Sequence, residues 1–263
     1  MGGKRLRVEV LLSAALALEP PPAPAPVPAA PMAEAPPPTG SPPPPFDWRA
    51  LVDPDLWDQV PADLDALLAW LPHADLYVQD EADVKFHPTL TRLWSRRGRA
   101  GQRRVRAPGT NRKVVAYAAL DWREGWGSFG YSLTRNAATF ARQLDHLVAR
   151  SRARGRRALV LTDNARIHTP AGAKVVREAL QRHGAWLRLV YTPPYDPEAN
   201  PTERFWLPLR RAITHNHHRD AMLDLYHDLL AYGDALDANP ACVLRHIGSP
   251  SACDDPLTTR QAA

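Results

Sequence analysis

Two acidic residues in this sequence stand where rigid elements of a fold could deliver them to one site. Asp163 follows the apolar run 159–162, which predicts a buried strand. Glu203 follows the proline-rich segment 193–201, which predicts a stiff loop that turns into a helix. Carboxylates held at the ends of rigid elements, with arginines close by, are what metal-assisted cleavage of a phosphodiester requires. Such a site also needs a third carboxylate and a surface that binds nucleic acid.

Candidates for the third carboxylate follow an earlier apolar run. Residues 76–79 predict a short strand; Asp80 and Glu81 come directly after it, and Asp83 lies two residues further on. Asp80 is favoured because it stands at the strand end, while Glu81 and Asp83 remain alternative ligands. If the strands before Asp80 and Asp163 are neighbours, both carboxylates emerge at the same edge of the sheet, within reach of the helical glutamate.

Each of these residues also has an ordinary structural explanation. The Asp-Asn pair at 163–164 is typical of an Asx turn, and Glu203 could serve only to cap its helix. Asp80 could likewise be a turn residue at the end of a strand. The structural explanation requires three separate coincidences, so the combination favours one carboxylate site.

Hydrophobic periodicity predicts an α/β fold around these residues. After the first strand, apolar segments predict a hairpin and then alternating helices and strands. Asn200 is expected to cap the helix that carries Glu203, with Pro201 at its first position. The resulting fold class is a mixed five-stranded sheet with helices on both faces. The predicted strands are 76–79, 113–122, 126–133, 158–162 and 186–191, and the other predicted helices are 137–151, 170–183 and 219–237.

The N-terminal part of the chain has a different composition from the rest. Of the 28 prolines in the 263 residues, 14 fall within residues 20–45, and this bias predicts a disordered Pro/Ala-rich segment over 1–45. A short helical lead-in is expected over 46–73, the catalytic domain over 74–245 and a flexible tail over 246–263.

Other features limit the class of protein. Basic residues ahead of a short apolar run near the N-terminus loosely resemble a secretion signal, but Glu9 interrupts that run. A secreted protein with a Pro/Ala stalk is therefore the minority alternative, and a cytoplasmic location is expected. No run approaches the length of a membrane span, and Cys242 and Cys253 lack metal-ligand spacing. The sequence thus argues against a membrane protein and against a disulfide framework.

Positive charge is concentrated in one segment. The formal net charge is +5 and the pI is near 9.5, which permits an anionic partner. Residues 92–113 hold nine basic side chains and no acidic one, and Trp94 among them can stack on a base. The segment lies between the first two predicted strands, where a loop would flank the carboxylates. It therefore predicts a nucleic-acid surface, whereas the basic cluster at 150–157 is interpreted as ordinary solvated surface.

Six stretches of the chain form a series in a fixed order. They are 77–84 (YVQDEADV), 93–98 (LWSRRG), 108–113 (PGTNRK), 161–168 (LTDNARIH), 193–206 and 213–216 (ITHN). The series resembles the catalytic domain of IS630-type transposases, within the Tc1/mariner superfamily of DDE enzymes. No single stretch is specific, but their order is, and the resemblance covers roughly residues 74–235.

The resemblance implies an RNase H-like fold and a DDE triad. Carried over residue by residue, the triad is Asp80, Asp163 and Glu203, which would bind two Mg²⁺ ions, with Mn²⁺ able to substitute. A pair of such ions can activate a water, hold the phosphate for in-line attack and stabilise the leaving oxygen. The implied reaction is DNA strand cleavage and then transesterification, in which the freed 3′-hydroxyl attacks a target strand.

The implied partner is double-stranded DNA, both transposon ends and target, bound by a dimer or a higher oligomer. For His168 three roles stay open: it could orient a ligand, contact DNA near the site, or be a purely structural histidine. The arginines on the helix of Glu203 are expected to meet phosphates. The candidate DNA contacts are Trp94, Arg96, Arg97, Arg112, Lys113, His168, Arg204, Arg210 and Arg211.

Two features depart from the family pattern. Full-length relatives carry helix-turn-helix modules ahead of the catalytic domain, whereas a proline-rich tract occupies that place here. Either a separate helix-turn-helix polypeptide recognises the ends, or the chain is a truncated, inactive remnant that only binds DNA. Pro208 lies inside the helix of Glu203, where it removes one backbone hydrogen bond and predicts a kink beyond the carboxylate.

Overall fold

A mixed five-stranded sheet forms the centre of the protein. The computed structural model describes residues 2–17, 64–92, 94, 96–98, 104–105, 108, 111–194, 196 and 199–248. The strands are β1 (Ala74–Lys85), β2 (Lys113–Asp121), β3 (Gly127–Ser132), β4 (Arg157–Thr162) and β5 (Leu187–Tyr191). Their order is β3-β2-β1-β4-β5; β1, β2 and β3 are joined by antiparallel pairing, and β1, β4 and β5 by parallel pairing.

Helices cover both faces of this sheet. The α-helices in the described residues are α1 (Gly2–Ala17), α2 (Leu64–Leu68), α3 (Ala137–Ala153), α4 (Lys174–His183), α5 (Thr202–Ile213), α6 (Met222–Asp237) and α7 (Pro240–Ile247). One core cluster joins α3 and α4 to the sheet through residues such as Phe140 and Val176. The other joins α1, α5, α6 and α7 through residues such as Leu11, Phe205 and Leu229. The predicted fold class, a mixed five-stranded α/β sheet with helices on both faces, is confirmed.

β1 is longer than its apolar run predicts. The predicted strand ended at residue 79, whereas β1 continues to Lys85 because its antiparallel pairing with β2 continues that far. Its parallel pairing with β4 stops at the pair Val78–Leu161. Asp80 therefore lies inside β1, just beyond the end of β4, and the prediction that it follows a strand is wrong. The expectation that acidic residues come together at this edge of the sheet still holds, because β4 ends there.

The N-terminal residues form a helix that the composition does not predict. Disorder was the expectation for residues 1–45, but α1 occupies Gly2–Ala17, and that part of the prediction is wrong. Leu11 is fully buried, and the indole Nε1 of Trp122 donates to the carbonyl of Leu12 at 3.2 Å. The run that resembles a secretion signal is thus part of the packed core, because its apolar side chains cover one face of the sheet.

Replacing Leu11 by Ala is expected to lower the free energy of unfolding by about 2–5 kcal/mol, since truncating a fully buried leucine leaves a cavity. Ser13 is exposed on the same helix, so Ser13→Ala is the matched control and should change stability by less than about 0.5 kcal/mol. Urea unfolding followed by tryptophan fluorescence measures both. Equal unfolding midpoints for Leu11→Ala and wild type would show that α1 does not pack in the core.

The predicted domain boundaries also differ from the observed ones. α7 follows α6 where no helix is predicted, and its Ile247 is fully buried in the core. The predicted tail 246–263 therefore begins too early. Within the predicted lead-in 46–73, the described residues form α2 and the 3₁₀ turn Leu71–His73; residues 46–63 lie outside the described part of the chain. Over the residues that the structure describes, no helix is both long and apolar enough to cross a membrane.

Candidate active site

Asp163 leaves the carboxyl end of β4 with its carboxylate fixed by two contacts. Its Oδ1 accepts from the backbone N–H of Ala165 at 3.0 Å and lies 2.5 Å from Nδ1 of His168. The first contact is the Asx turn that the Asp-Asn pair indicates. The 3₁₀ turn Arg166–His168 then brings the imidazole back to Asp163. The Asp163 side chain is 47% exposed, so its direction is fixed while one side stays open to solvent.

His168 connects Asp163 to a second, buried carboxylate. Its Nε2 lies 2.6 Å from Oε1 of Glu81, whose side chain is 3% exposed. Gln79 donates to the same Glu81 oxygen at 3.2 Å, and Thr162 donates to Gln79 at 2.6 Å. His168 is wholly buried in this network. The candidate DNA contact at His168 is therefore wrong, because a side chain without exposed surface cannot reach DNA.

The charges along this network shift the pKa values of its members. Burial lowers the pKa of His168, but the hydrogen bonds to Asp163 and Glu81 outweigh burial and raise it to about 9. Burial raises the pKa of Asp163, but the hydrogen bonds with His168 and the N–H of Ala165, together with the positive charges of His168 and Arg135, outweigh burial, so the net pKa is below its ordinary value. At neutral pH the imidazole is therefore protonated and donates to both carboxylates.

The raised pKa of His168 predicts a loss of stability in mildly alkaline solution. Its contribution to the free energy of unfolding is complete below the unfolded pKa of 6.5 and is lost as pH rises through about 9. The melting temperature of the wild type should therefore fall across this range. In His168→Gln it should be lower at neutral pH and vary less from pH 6.5 to 9. A wild-type melting temperature that is constant over this range would contradict the protonated histidine.

Asp80 and the backbone of β1 are held from the side of α5. The indole Nε1 of the buried Trp206 donates to Oδ2 of Asp80 at 2.8 Å. Asn200 Nδ2 donates to the carbonyl of Gln79 at 2.9 Å, and Asn200 Oδ1 accepts from the N–H of Thr202 at 3.1 Å. α5 begins at Thr202, one residue later than predicted. The N-cap position of α5 is Pro201 and not the predicted Asn200, and Asn200 instead ties the start of α5 to β1.

Glu203 lies in the first turn of α5, and its charge reaches Asp80. Burial raises the pKa of Asp80 to about 7; the hydrogen bond from Trp206 opposes this rise, and the negative charge of Glu203 adds to it. The two carboxylates are thus close enough to repel each other. α5 continues through Pro208 to Ile213, so the proline leaves the turn that carries Glu203 intact.

The three candidate triad residues line one cavity. Asp80, Asp163 and Glu203 share a cavity of about 370 Å³ with the loop residues Pro193 and Pro194, and we call it the proline cavity. Carboxylate oxygens suit a hard divalent cation, and a cation would offset both the burial that mainly raises the pKa of Asp80 and the repulsion from Glu203 that adds to it. Among the described residues, no group of three or more His, Cys, Asp or Glu is arranged to hold a metal ion. The fit therefore rests on donor chemistry and a shared cavity, not on a preformed ligand set.

The two alternative ligands on β1 have other partners. Glu81 contacts His168, as described above, and Oδ2 of Asp83 accepts from Nζ of Lys113 at 2.7 Å. All three acidic residues line the larger cavity described next, but only Asp80 lines the proline cavity as well. This placement supports Asp80 as the ligand.

A second cavity separates the candidate DNA contacts into groups. It measures about 490 Å³ and includes the same three carboxylates. Arg210 lines this second cavity, whereas Arg204 and Arg211 line neither cavity. Lys113, the first residue of β2, forms an ion pair with Asp83. The remaining candidates are exposed in the segment before β2: Trp94, Arg96, Arg97 and Arg112.

Comparison with known proteins identifies the family. A sequence profile described as DDE superfamily endonuclease matches residues 75–223, more than half of the chain. The chain belongs to the DDE superfamily endonucleases. The candidate triad of this DDE endonuclease, Asp80, Asp163 and Glu203, lies wholly within the matched residues.

The relatives of this DDE endonuclease support the resemblance that its motifs indicate. It is 30% identical over 150 residues to the insertion element IS630 uncharacterized 39 kDa protein of Shigella sonnei. That match covers 57% of this chain and 42% of the relative, so the chain spans less than half the length of the curated relative. The resemblance to IS630-type transposases is confirmed.

Two solved structures can be compared with this DDE endonuclease. The Mos1 strand transfer complex is 20% identical, with a TM-score of 0.49 over 72% of this chain and 55% of that chain. A pre-cleavage Mos1 transpososome is also 20% identical, with a TM-score of 0.49 over 67% of this chain and 53% of that chain.

Sequence reasoning missed the residues that hold the carboxylates in place. Trp206 and Asn200 hold Asp80 and β1, while Glu81 and Gln79 lie behind His168. One signal was available, because Trp206 lies three residues after Glu203 and therefore on the same face of the helix. No comparable signal links Glu81 to the histidine, since their pairing depends on the adjacency of β1 and β4.

Proposed function

We propose that this DDE endonuclease cleaves DNA at transposon ends and joins the freed 3′-hydroxyl to a target strand. The proposal rests on one observation: Asp80, Asp163 and Glu203 come from three separate elements and line one cavity within the residues that the family profile matches. Hydrolysis and strand transfer of a phosphodiester both require that carboxylates hold divalent cations beside the reacting phosphate.

The residues of this chain prepare the site in distinct ways. Two Mg²⁺ ions held by Asp80, Asp163 and Glu203, or Mn²⁺ in their place, would activate the attacking hydroxyl and stabilise the leaving oxygen. Asp163 is fixed by Ala165 and His168, so it needs little reorientation on loading. Asp80 has a pKa of about 7 and can hold a proton at neutral pH until a cation replaces it. The exposed Glu203 completes the set from the first turn of α5.

The proposal includes the partners that the family resemblance implies. They are double-stranded DNA as transposon end and target, a dimer or higher oligomer of this chain on the DNA, and a separate helix-turn-helix polypeptide for end recognition. The reaction would take place in the cytoplasm.

Metal-dependent cleavage tests the proposal. The full chain would be incubated with labelled DNA that carries the ends of its own element, with Mg²⁺, with Mn²⁺ or with EDTA. Asp163→Asn is the active-site variant, and Asp145→Asn is the control, because Asp145 is a carboxylate of similar side-chain exposure (42%) that pairs with Arg182 and His183 and lines neither cavity. Cleavage that requires a metal ion and Asp163, but not Asp145, is the expected result.

The alternative is an inactive remnant that only binds DNA. It predicts DNA binding without cleavage in either metal ion, even when helix-turn-helix protein from a relative is added. Cleavage by wild type that is unchanged in Asp163→Asn would reject the triad itself.

A further inference from the structure

Two cavities meet at the three carboxylates, and their described linings differ in charge. The proline cavity has no lysine or arginine among its described lining residues. The cavity of about 490 Å³ shares Asp80, Asp163 and Glu203 and is also lined by Glu81 and Asp83, which pair with His168 and Lys113. Unlike the proline cavity it is lined by cations as well, Lys85, Arg135 and Arg210, and we call it the arginine cleft. A nucleic-acid strand carries one negative charge per phosphate, so the two cavities are not equivalent entrances for it.

The three cations of the arginine cleft come from different elements. Lys85 ends β1, Arg135 lies between β3 and α3, and Arg210 lies in the last turn of α5. Lys85 and Arg210 are exposed, and the side chain of Arg135 is 51% exposed. Three elements distant in sequence therefore bring positive charge to one side of the acidic cluster.

Arg135 could be present only to neutralise Asp83, but the distances argue otherwise. Nζ of Lys113 already donates to Asp83 at 2.7 Å, whereas Nε of Arg135 makes a longer ion pair, at 3.5 Å, with the other oxygen of Asp83. Against the effect of burial, the positive charge of Arg135 adds to the effect of Lys113 in lowering the pKa of Asp83. Nη2 of Arg135 makes only a long contact of 3.5 Å with the carbonyl of Glu81. These contacts orient the guanidinium in the cleft without saturating its donors, as recognition of a phosphate requires.

The arginine cleft also joins the start of the basic segment 92–113. Thr89 lines the cleft, and its N–H donates to the carbonyl of Thr214 at 2.9 Å. Two residues on, the N–H of Thr91 donates to Oδ1 of Asn216 at 3.0 Å. The chain that leads into the basic segment is thus attached to the end of α5 at the mouth of the cleft.

We propose that one DNA strand reaches the carboxylates through the arginine cleft, with its phosphates on Lys85, Arg135 and Arg210. The inference rests on the proposed function, since it names the path of the substrate in the same site. The scissile phosphate then lies at Asp80, Asp163 and Glu203, and the flanking phosphates meet the three cations. The backbone of the strand does not follow the proline cavity, whose described lining offers it no cation.

Salt-dependent binding tests this path without any metal ion. The full chain and its variants would be titrated with a fluorescent single-stranded oligonucleotide in EDTA at several NaCl concentrations. Each of Lys85→Ala, Arg135→Ala and Arg210→Ala should weaken binding about three- to tenfold and reduce the slope of log K against log salt by roughly 0.7, the value for one phosphate contact on a single strand. Arg135→Lys should retain the slope, because it retains the charge.

Arg182→Ala is the matched control. Arg182 is 56% exposed and paired with a carboxylate, as Arg135 is, but it lies on α4 and lines neither cavity. Its affinity and salt slope should equal those of wild type. An Arg135→Ala variant that melts like wild type and binds like wild type would overturn the proposal, as would an equal loss in Arg182→Ala or a wild type that binds no oligonucleotide.

The cleavage assay distinguishes this inference from the proposed function. A wild type that binds through the arginine cleft but cleaves nothing retains the inference and rejects the enzymatic activity. A wild type that cleaves with metal and Asp163, while the cleft variants bind and cleave as it does, rejects the inference and retains the activity.

Discussion

Replacing Asp80 by Asn is expected to reduce the proposed metal-dependent strand cleavage by at least about a thousandfold, since the proposed metal ligand would be lost and metal ions supply several kcal/mol to such reactions. Asn keeps an oxygen that can accept from the indole of Trp206, so the packing of α5 on β1 should persist. The comparison with Glu81→Gln and Asp83→Asn, measured as initial cleavage rates at saturating Mn²⁺, decides which acidic residue on β1 is the ligand.

Glu81→Gln and Asp83→Asn should each reduce the cleavage rate less than Asp80→Asn does. Glu81 acts on Asp163 through His168, and loss of such a supporting residue typically costs about 10- to 100-fold. Asp83 pairs with Lys113, so its variant should lose less than about tenfold in rate. A loss in Glu81→Gln as large as that in Asp80→Asn, at equal thermal stability, would reassign the ligand to Glu81.

Replacing His168 by Leu is expected to lower the free energy of unfolding by about 3–5 kcal/mol, because Glu81 would remain buried as a charge without its cationic partner. Gln79 alone would then donate to it within the described network, at 3.2 Å. Urea unfolding at pH 7 measures the loss.

A double variant separates the loss of the pair from the loss of packing. In Glu81→Leu/His168→Leu neither member of the pair is left as an unpaired buried charge, so the double variant should be more stable than His168→Leu alone. Thr192→Val is the control for the loss of a buried polar group, because it removes a hydroxyl from another buried residue beside the site. It should lower the free energy of unfolding by less than about 2 kcal/mol. A double variant that is less stable than either single one would show that the network contributes through packing instead of charge.

Periodicity and turn chemistry determined most of the fold from the sequence alone. The apolar runs and the helix starts predicted five strands and the helices α3 to α6, because amphipathic elements must bury one face whatever surrounds them. The sequence does not predict α1, because the proline-rich composition that follows it indicates disorder. It does not predict α7, because the buried residues Val243, Leu244 and Ile247 form too short a pattern. Both helices are stabilised by the core residues against which they pack, and a local sequence pattern does not show that packing.

The candidate triad could also be named from the sequence, since Asp80, Asp163 and Glu203 sit in motifs with a fixed order. The tertiary structure alone decided how the residues are held. β1 and β4 are adjacent and end at different points, so Asp80 lies beside Asp163 although it is inside a strand. The same adjacency buries His168 between Asp163 and Glu81 and removes it from the DNA surface. Residues far apart in sequence acquire such roles because only packing brings them into contact, and no local pattern records it.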